Sequence, residues 1–93
     1  MHSRQLRRFR DVVRRGEYDV TLHGLDEMEQ DQLSILDLES CVSTGVIVER
    51  QRDWQTGEWK YIVHGRAVDG DEIAVVVKPL IEGKMAFLTV YRI

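Results

Sequence analysis

Cysteine occurs once, at Cys41, which excludes an internal disulfide and any cysteine-built metal site. The longest apolar run, Ile73–Val77, has five residues, where a membrane-crossing helix needs about 20. The N-terminus bears arginines but no apolar segment of a secretory signal. There is no P-loop, no G-x-G-x-x-G and no nucleophile motif. The three histidines, His2, His23 and His64, match no zinc spacing, so neither metal nor cofactor is expected. No internal repeat or linker is visible. These absences point to one small domain in a reducing, cytoplasmic compartment, with Cys41 as a small buried residue.

Charge is unevenly placed. The net value is −3, yet residues 1–23 hold six arginines against three carboxylates, while residues 24–40 hold six carboxylates and no base. A basic helix attracts phosphate; the acidic stretch beside it repels phosphate. A charge-rich helix face is most often simply solvated.

The apolar rhythm divides the chain. Leu6, Phe9, Val12 and Val13 recur at helical spacing after Ser3, a candidate cap, and Gly16 can stop that helix. Residues 1–16 are thus a basic amphipathic helix. Val20 and Leu22 alternate with Thr21 and His23 as a short strand, and Leu25, Met28 and Leu33 belong to an acidic helix. Ser34 with Asp37 has capping-box spacing for a further helix ending at Gly45, so residues 17–45 read as a short strand and acidic helices. From position 46 the period becomes two. Four strands are expected near 46–52, 58–65, 72–78 and 85–92, with Pro79 ending the third. The short links, each with a glycine, favour antiparallel neighbours. The expected fold is α+β: N-terminal helices on a four-stranded antiparallel meander spanning 46–93. Ile62, Val76, Leu88 and Val90 are assigned to one face. Trp59, Tyr61, Val63, Phe87, Thr89 and Tyr91 are assigned to the other.

Six segments in order, H-G-L-D-E-M-E (His23–Glu29), L-S-I-L-D-L-E (Leu33–Glu39), T-G-V-I-V-E (Thr44–Glu49), K-Y-I-V-H-G (Lys60–Gly65), I-A-V-V-V (Ile73–Val77) and L-T-V-Y (Leu88–Tyr91), carry a resemblance. Together they resemble DUF4258, a small prokaryotic family of unknown function. That family typically reads H-A-x-x-R-M-x-x-R in the first segment; here Gly24 replaces the alanine, and Glu27 and Asp31 replace the arginines. The resemblance implies kinship with RelE/ParE/BrnT-like toxins, a RelE-like fold, and an antitoxin encoded beside the gene. Many RelE-like toxins cut mRNA with Arg, Lys, His and Tyr side chains on the sheet.

RNA cleavage through the 2′-hydroxyl needs a base, an acid and cations for the phosphate. His64, Tyr91 and His23 are the catalytic candidates; histidine is the side chain that exchanges protons near neutral pH. Each has a plain structural role too. His23 can cap or hinge a helix, His64 can end a strand, and Tyr91 can pack in the core. Lys60, Arg66, Lys78 and Arg92 are the phosphate- and RNA-binding candidates. Lys60, His64 and Arg66 fall on one side of their strand by parity, with Lys78 and Arg92 placed beside Val76 and Val90. The competing reading is a non-catalytic binding module or an inactivated toxin relative. In it the aromatic face (Trp59, Tyr61, Phe87) docks a peptide or a second copy as a homo-oligomer. DNA binding by the first helix is weaker, because that helix needs its apolar side for the core.

Overall fold

The computed structural model describes residues 2–93. Helix α1 (Ser3–Arg15) is followed by β1 (Tyr18–Val20), α2 (Leu22–Gln30) and α3 (Ile35–Thr44). The strands β2 (Val46–Arg52), β3 (Trp59–Arg66), β4 (Glu72–Pro79) and β5 (Met85–Arg92) then follow. Among the described residues no helix is long and apolar enough to cross a membrane.

The helices form where apolar spacing and caps agree. Leu6, Phe9 and Val12 form the buried stripe of α1, and Gly16, at φ 67°, turns the chain out in the left-handed region. Ser3 is the first helical residue rather than the cap, which is His2. Arg10 leaves the solvated arginine face. Its Nε donates to the Val42 carbonyl and its Nη2 to that of Gly45, both at 3.0 Å, so a cation closes the C-terminus of α3.

Thr21, not His23, caps α2. Its hydroxyl accepts the Gly24 N–H at 3.1 Å and donates to the Leu88 carbonyl at 3.0 Å. At the start of α3, Asp37 Oδ2 accepts the Ser34 N–H at 2.8 Å, and Oδ1 accepts the Val68 N–H at 2.9 Å. The Ser34 bond, then that of Val68, holds the Asp37 carboxyl below its ordinary range, against an opposing desolvation. A depressed folded-state value stabilises above the unfolded pKa of about 3.9 and is lost as pH falls through the folded value. Asp37→Asn is therefore expected to cost about 1 kcal/mol at neutral pH. It should cost less at about pH 3, below the unfolded value, where part of that contribution is already lost. Urea unfolding at both pH values checks this.

The sheet has five strands in the order β1-β5-β4-β3-β2. The expected four-strand antiparallel meander is present as β2 to β5, and β1 adds a parallel fifth strand, Tyr18 facing Met85 and Val20 facing Phe87. Beside β1, the outer edge of β5 finds partners for backbone groups that would otherwise stay unpaired.

Two bulges decide which way the side chains point. Val48 is the extra residue between the Ile47–Val63 and Glu49–Ile62 pairs, and Leu88 between Val77–Phe87 and Val76–Thr89. Each bulge shifts the alternation by one. Phe87 and Val90 therefore both face inward, while Thr89 and Tyr91 face outward. The expected grouping of Phe87 with Thr89 and Tyr91, and of Val90 with Ile62 and Val76, is overturned by that extra residue. The inward face joins Tyr61, Val63, Ile73, Val75, Val77, Met85, Phe87 and Val90 to Phe9, Leu38 and Val42 of the helices. Helix α3 lies on β3 and β4, and α2 on β5.

Helix α3 touches β3 without intervening side chains. A β-carbon on Gly65 would sit 2.2 Å from the Cys41 carbonyl oxygen, and one on Gly45 would sit 2.4 Å from that of His64. Glycine is required at both positions by closeness of backbone. Cys41 itself is fully buried, its Sγ 3.6 Å from the Val63 and Ile73 carbonyl oxygens. Burial pushes its thiol up to about 12, which keeps it protonated and unreactive.

Candidate functional site

The uncovered face of the sheet is where chemistry-bearing side chains meet. On β3, Lys60, Ile62, His64 and Arg66 alternate outward, opposite the buried Tyr61 and Val63. The antiparallel register sets His64 beside Ala74, and Ala74 beside Tyr91. His64 and Tyr91 thus flank a single methyl group, two strand spacings or roughly 10 Å apart at their α-carbons. Arg66 pairs with Glu72 one step along the same face. His64, Arg66 and Glu72 line one depression of about 350 Å3, rimmed by Thr44, Val46, Val48, Gly65 and Ile93.

The local fold holds this end of the sheet firmly. The Arg66 N–H donates to Thr44 Oγ1 at 2.9 Å, tying β3 to the last turn of α3. The Arg66 Nη1 donates to the Gly70 carbonyl at 2.9 Å, which lays the guanidinium over the β3–β4 turn. The Ile93 N–H donates to the Glu72 carbonyl at 3.0 Å, so the C-terminal residue closes one rim. Glu72 was not singled out from the sequence. The Asp69–Gly70 turn contained the signal, since a tight hairpin there sets Arg66 and Glu72 opposite each other.

The remaining candidates lie elsewhere. Lys60 and Lys78 fall one step beyond the Tyr61–Val77 pair, four residues along β3 from His64 and therefore about 13 Å away. The Lys78 ammonium pairs with Glu58. Arg92 follows the parity of Val90, not of Val76, and so turns to the helix side. Its Nη1 meets Asp71 Oδ2 at 3.0 Å and its Nη2 donates to the Asp31 carbonyl at 2.7 Å, beyond the last turn of α2. The expected placement of Lys78 and Arg92 together is thus not found.

His23 stands apart from His64, in the first turn of α2, with Nε2 3.3 Å from Glu27 Oε1. The same oxygen accepts the Val90 N–H at 3.1 Å, just past the point where β1 stops pairing with β5. Glu27 therefore serves the fold at a position where an arginine was the expected residue.

The aromatic docking face also dissolves. Phe87 is 0% and Tyr61 8% exposed, both under the helices. The Phe9 ring lies edge-on to Tyr61 and the Tyr18 ring to Phe87. Trp59 is half-buried beneath the Arg50 guanidinium, 4.1 Å from the ring centroid. Neither Tyr61 nor Phe87 offers a surface to a partner in this fold. Among the described residues no three His, Cys, Asp or Glu side chains gather as metal ligands.

The family model described as Domain of unknown function (DUF4258) matches residues 20–92. The chain belongs to the DUF4258 family. No curated protein and no solved structure matches it. The DUF4258 match spans α2, α3 and the whole β2–β5 meander, and so includes every residue of the depression except Ile93. Helix α1 and its arginines lie outside the DUF4258 segment.

Proposed function

We propose that this is a toxin-like, metal-independent endoribonuclease of a toxin–antitoxin pair, acting on mRNA in the cytoplasm through the uncovered sheet face. The observation that carries the proposal is the meeting of His64, Arg66 and Glu72 in one open depression, with Tyr91 across Ala74. Likeness of fold alone assigns no chemistry, so the proposal rests on the side chains.

In the reaction, the RNA 2′-oxygen attacks the adjacent phosphorus and gives up its proton. The bond from phosphorus to the 5′-oxygen breaks, and that oxygen takes a proton. The products are a 2′,3′-cyclic phosphate and a 5′-hydroxyl. His64 and Glu72 form the proton-transfer pair. Arg66 holds the phosphate charge as it develops, and Tyr91 stacks a base.

The test compares an unstructured RNA with the same strand carrying 2′-deoxy nucleotides at the cut positions, both in excess chelator. Cleavage of the first alone, leaving cyclic phosphate ends, is expected. An intact RNA, or equal cutting of both strands, overturns the proposal.

A second reading, a non-catalytic binding module, is favoured by one observation. Lys78, Arg92 and Arg66 already have partners in Glu58, Asp71 and the Gly70 carbonyl. In that reading the partner, an antitoxin or a second copy, adds to the β2 edge, where Val46 and Val48 are exposed. Co-purification of a stable complex together with an intact RNA would select it.

A further inference from the structure

We infer that the β2–β3 hairpin is a subsite for single-stranded RNA, with one base stacked on the Trp54 indole and the adjoining phosphate held by Lys60. The inference rests on the RNA reading above, but concerns binding and stands or falls separately from cleavage.

Trp54 is 88% exposed, the most exposed of the large apolar side chains among the described residues. An indole left in water contributes almost no burial to the fold, and a bare aromatic is the element that sequence-tolerant strand binders stack bases upon. The loop holding it is closed by its own hydrogen bonds. Asp53 Oδ1 accepts the Gln55 N–H at 2.9 Å, the Gly57 N–H donates to the Asp53 carbonyl at 2.6 Å, and the Asp53 N–H donates to Glu58 at 2.8 Å. The indole is thus carried on a turn already in place, which lowers the ordering cost of binding.

Around it lies an open depression of about 530 Å3, lined by Gln51, Arg52, Asp53, Trp54, Gln55 and Lys60. Its charges favour an anion. The carboxylate of Asp53 is turned into the loop amides, that of Glu58 pairs with Lys78, and that of Glu49 accepts the Gln51 amide. By contrast, Arg50, Arg52 and Lys60 have no carboxylate within ion-pair distance among the described residues. Arg52 turns to the opposite side with its register partner Trp59, its Nε donating to the Gly57 carbonyl at 3.2 Å and its guanidinium carbon 5.3 Å from the Trp59 centroid, which leaves Lys60 as the cation on the side that leads to His64. The Gln55 side-chain amide offers donors and an acceptor to a base edge. A duplex hides the base faces that such a platform needs; a single strand exposes them. Lys60 shares its strand and its face with His64, about 13 Å along, so a strand seated at the hairpin continues toward the depression.

The test uses a short 2′-O-methyl oligoribonucleotide, which cannot be cut by 2′-oxygen attack, so that binding is read whether or not the protein is a nuclease. Tryptophan fluorescence should be quenched on titration, with the quenching absent in Trp54→Ala and affinity roughly 5- to 100-fold weaker there. Lys60→Ala should reduce the salt dependence of binding. The DNA strand of the same sequence is the comparison for sugar preference, and the RNA duplex should bind more weakly. Equal affinity of Trp54→Ala and the parent, preference for the duplex or for DNA, or a fluorescence change only with a protein partner overturns the inference. Trp54 packs against nothing that the fold depends on, so the variant should unfold at the parent temperature, which circular dichroism verifies. If the oligonucleotide binds through Trp54 but unmodified RNA stays intact, the subsite stands and the cleavage proposal falls. If RNA is cut equally well by Trp54→Ala and that variant also binds normally, the reverse holds.

Discussion

Alanine at position 65 is expected to lower the unfolding free energy by about 3 kcal/mol or more, in a domain whose total is of order 5–15 kcal/mol. The added β-carbon would lie 2.2 Å from the Cys41 carbonyl oxygen and 2.9 Å from its carbonyl carbon. Both are backbone atoms inside α3, so no side chain can swing away to relieve the clash. Either the last turn of α3 lifts from β3 or β3 bows outward. The first movement opens the contact that buries Cys41, Val42 and Leu38 against the sheet. The second displaces His64 and Arg66 on either side, so the depression is altered even in molecules that stay folded. Thermal unfolding should fall by roughly 15 °C. Gly70→Ala is the informative contrast: it has no atom within 4 Å of its would-be β-carbon and loses only the ease of its φ of 94°. That change should cost no more than about 1–2 kcal/mol, and similar losses in the two variants would refute the close-approach account.

The reason Gly65 matters could not be read from its neighbours in the chain. Local signals were legible: the stop at Gly16, the Ser34–Asp37 pairing before α3, the change to a two-residue period at Val46, and the turns that bound each strand. Those are interactions among residues a few positions apart, and they place the ends of β2 and β5 at Val46, Arg52, Met85 and Arg92 as expected. What failed to show were features settled by distant partners. The short strand expected from Val20 to His23 lies at Tyr18–Val20 instead, because Thr21 already caps α2; its bounds and its parallel pairing are set by β5, and three residues carry too little pattern to fix them. The bulge at Leu88 inserts a residue without any glycine or proline to mark it, and it separates Tyr91 from Phe87 by reversing one of them. Alternation alone therefore grouped the aromatics wrongly and set Arg92 beside Lys78. The outward alignment of Lys60, His64 and Arg66 survived because β3 has no bulge between them. Glu27 illustrates the same limit, since its carboxylate serves the Val90 N–H, far away in sequence.

That surviving alignment leads to the largest functional effect expected. Replacing His64 by alanine should reduce the rate of RNA cleavage by about 10²–10⁴-fold, the usual contribution of one positioned proton-transfer group. The loss should appear in kcat more than in KM, because the imidazole acts on the moving proton and not on the bound strand. His64 is half-buried on the open face and its replacement leaves the core intact, so the folded fraction should not change. Glu72→Gln, which keeps the shape and removes the charge, should give a loss of the same order if the two act as a pair. Their combined replacement should cost much less than the product of the single effects. Lys78→Ala supplies the control on geometry: its ammonium is engaged by Glu58 and stands at the other end of the sheet face. Its removal should change the rate by only a few-fold. Equal losses at Lys78 and His64 would mean that cutting depends on general positive charge along the sheet, and the acid–base assignment would be wrong. A loss at Lys78 alone would move the reacting phosphate to the hairpin end, next to Lys60, and leave the depression around His64 without a role in the chemistry.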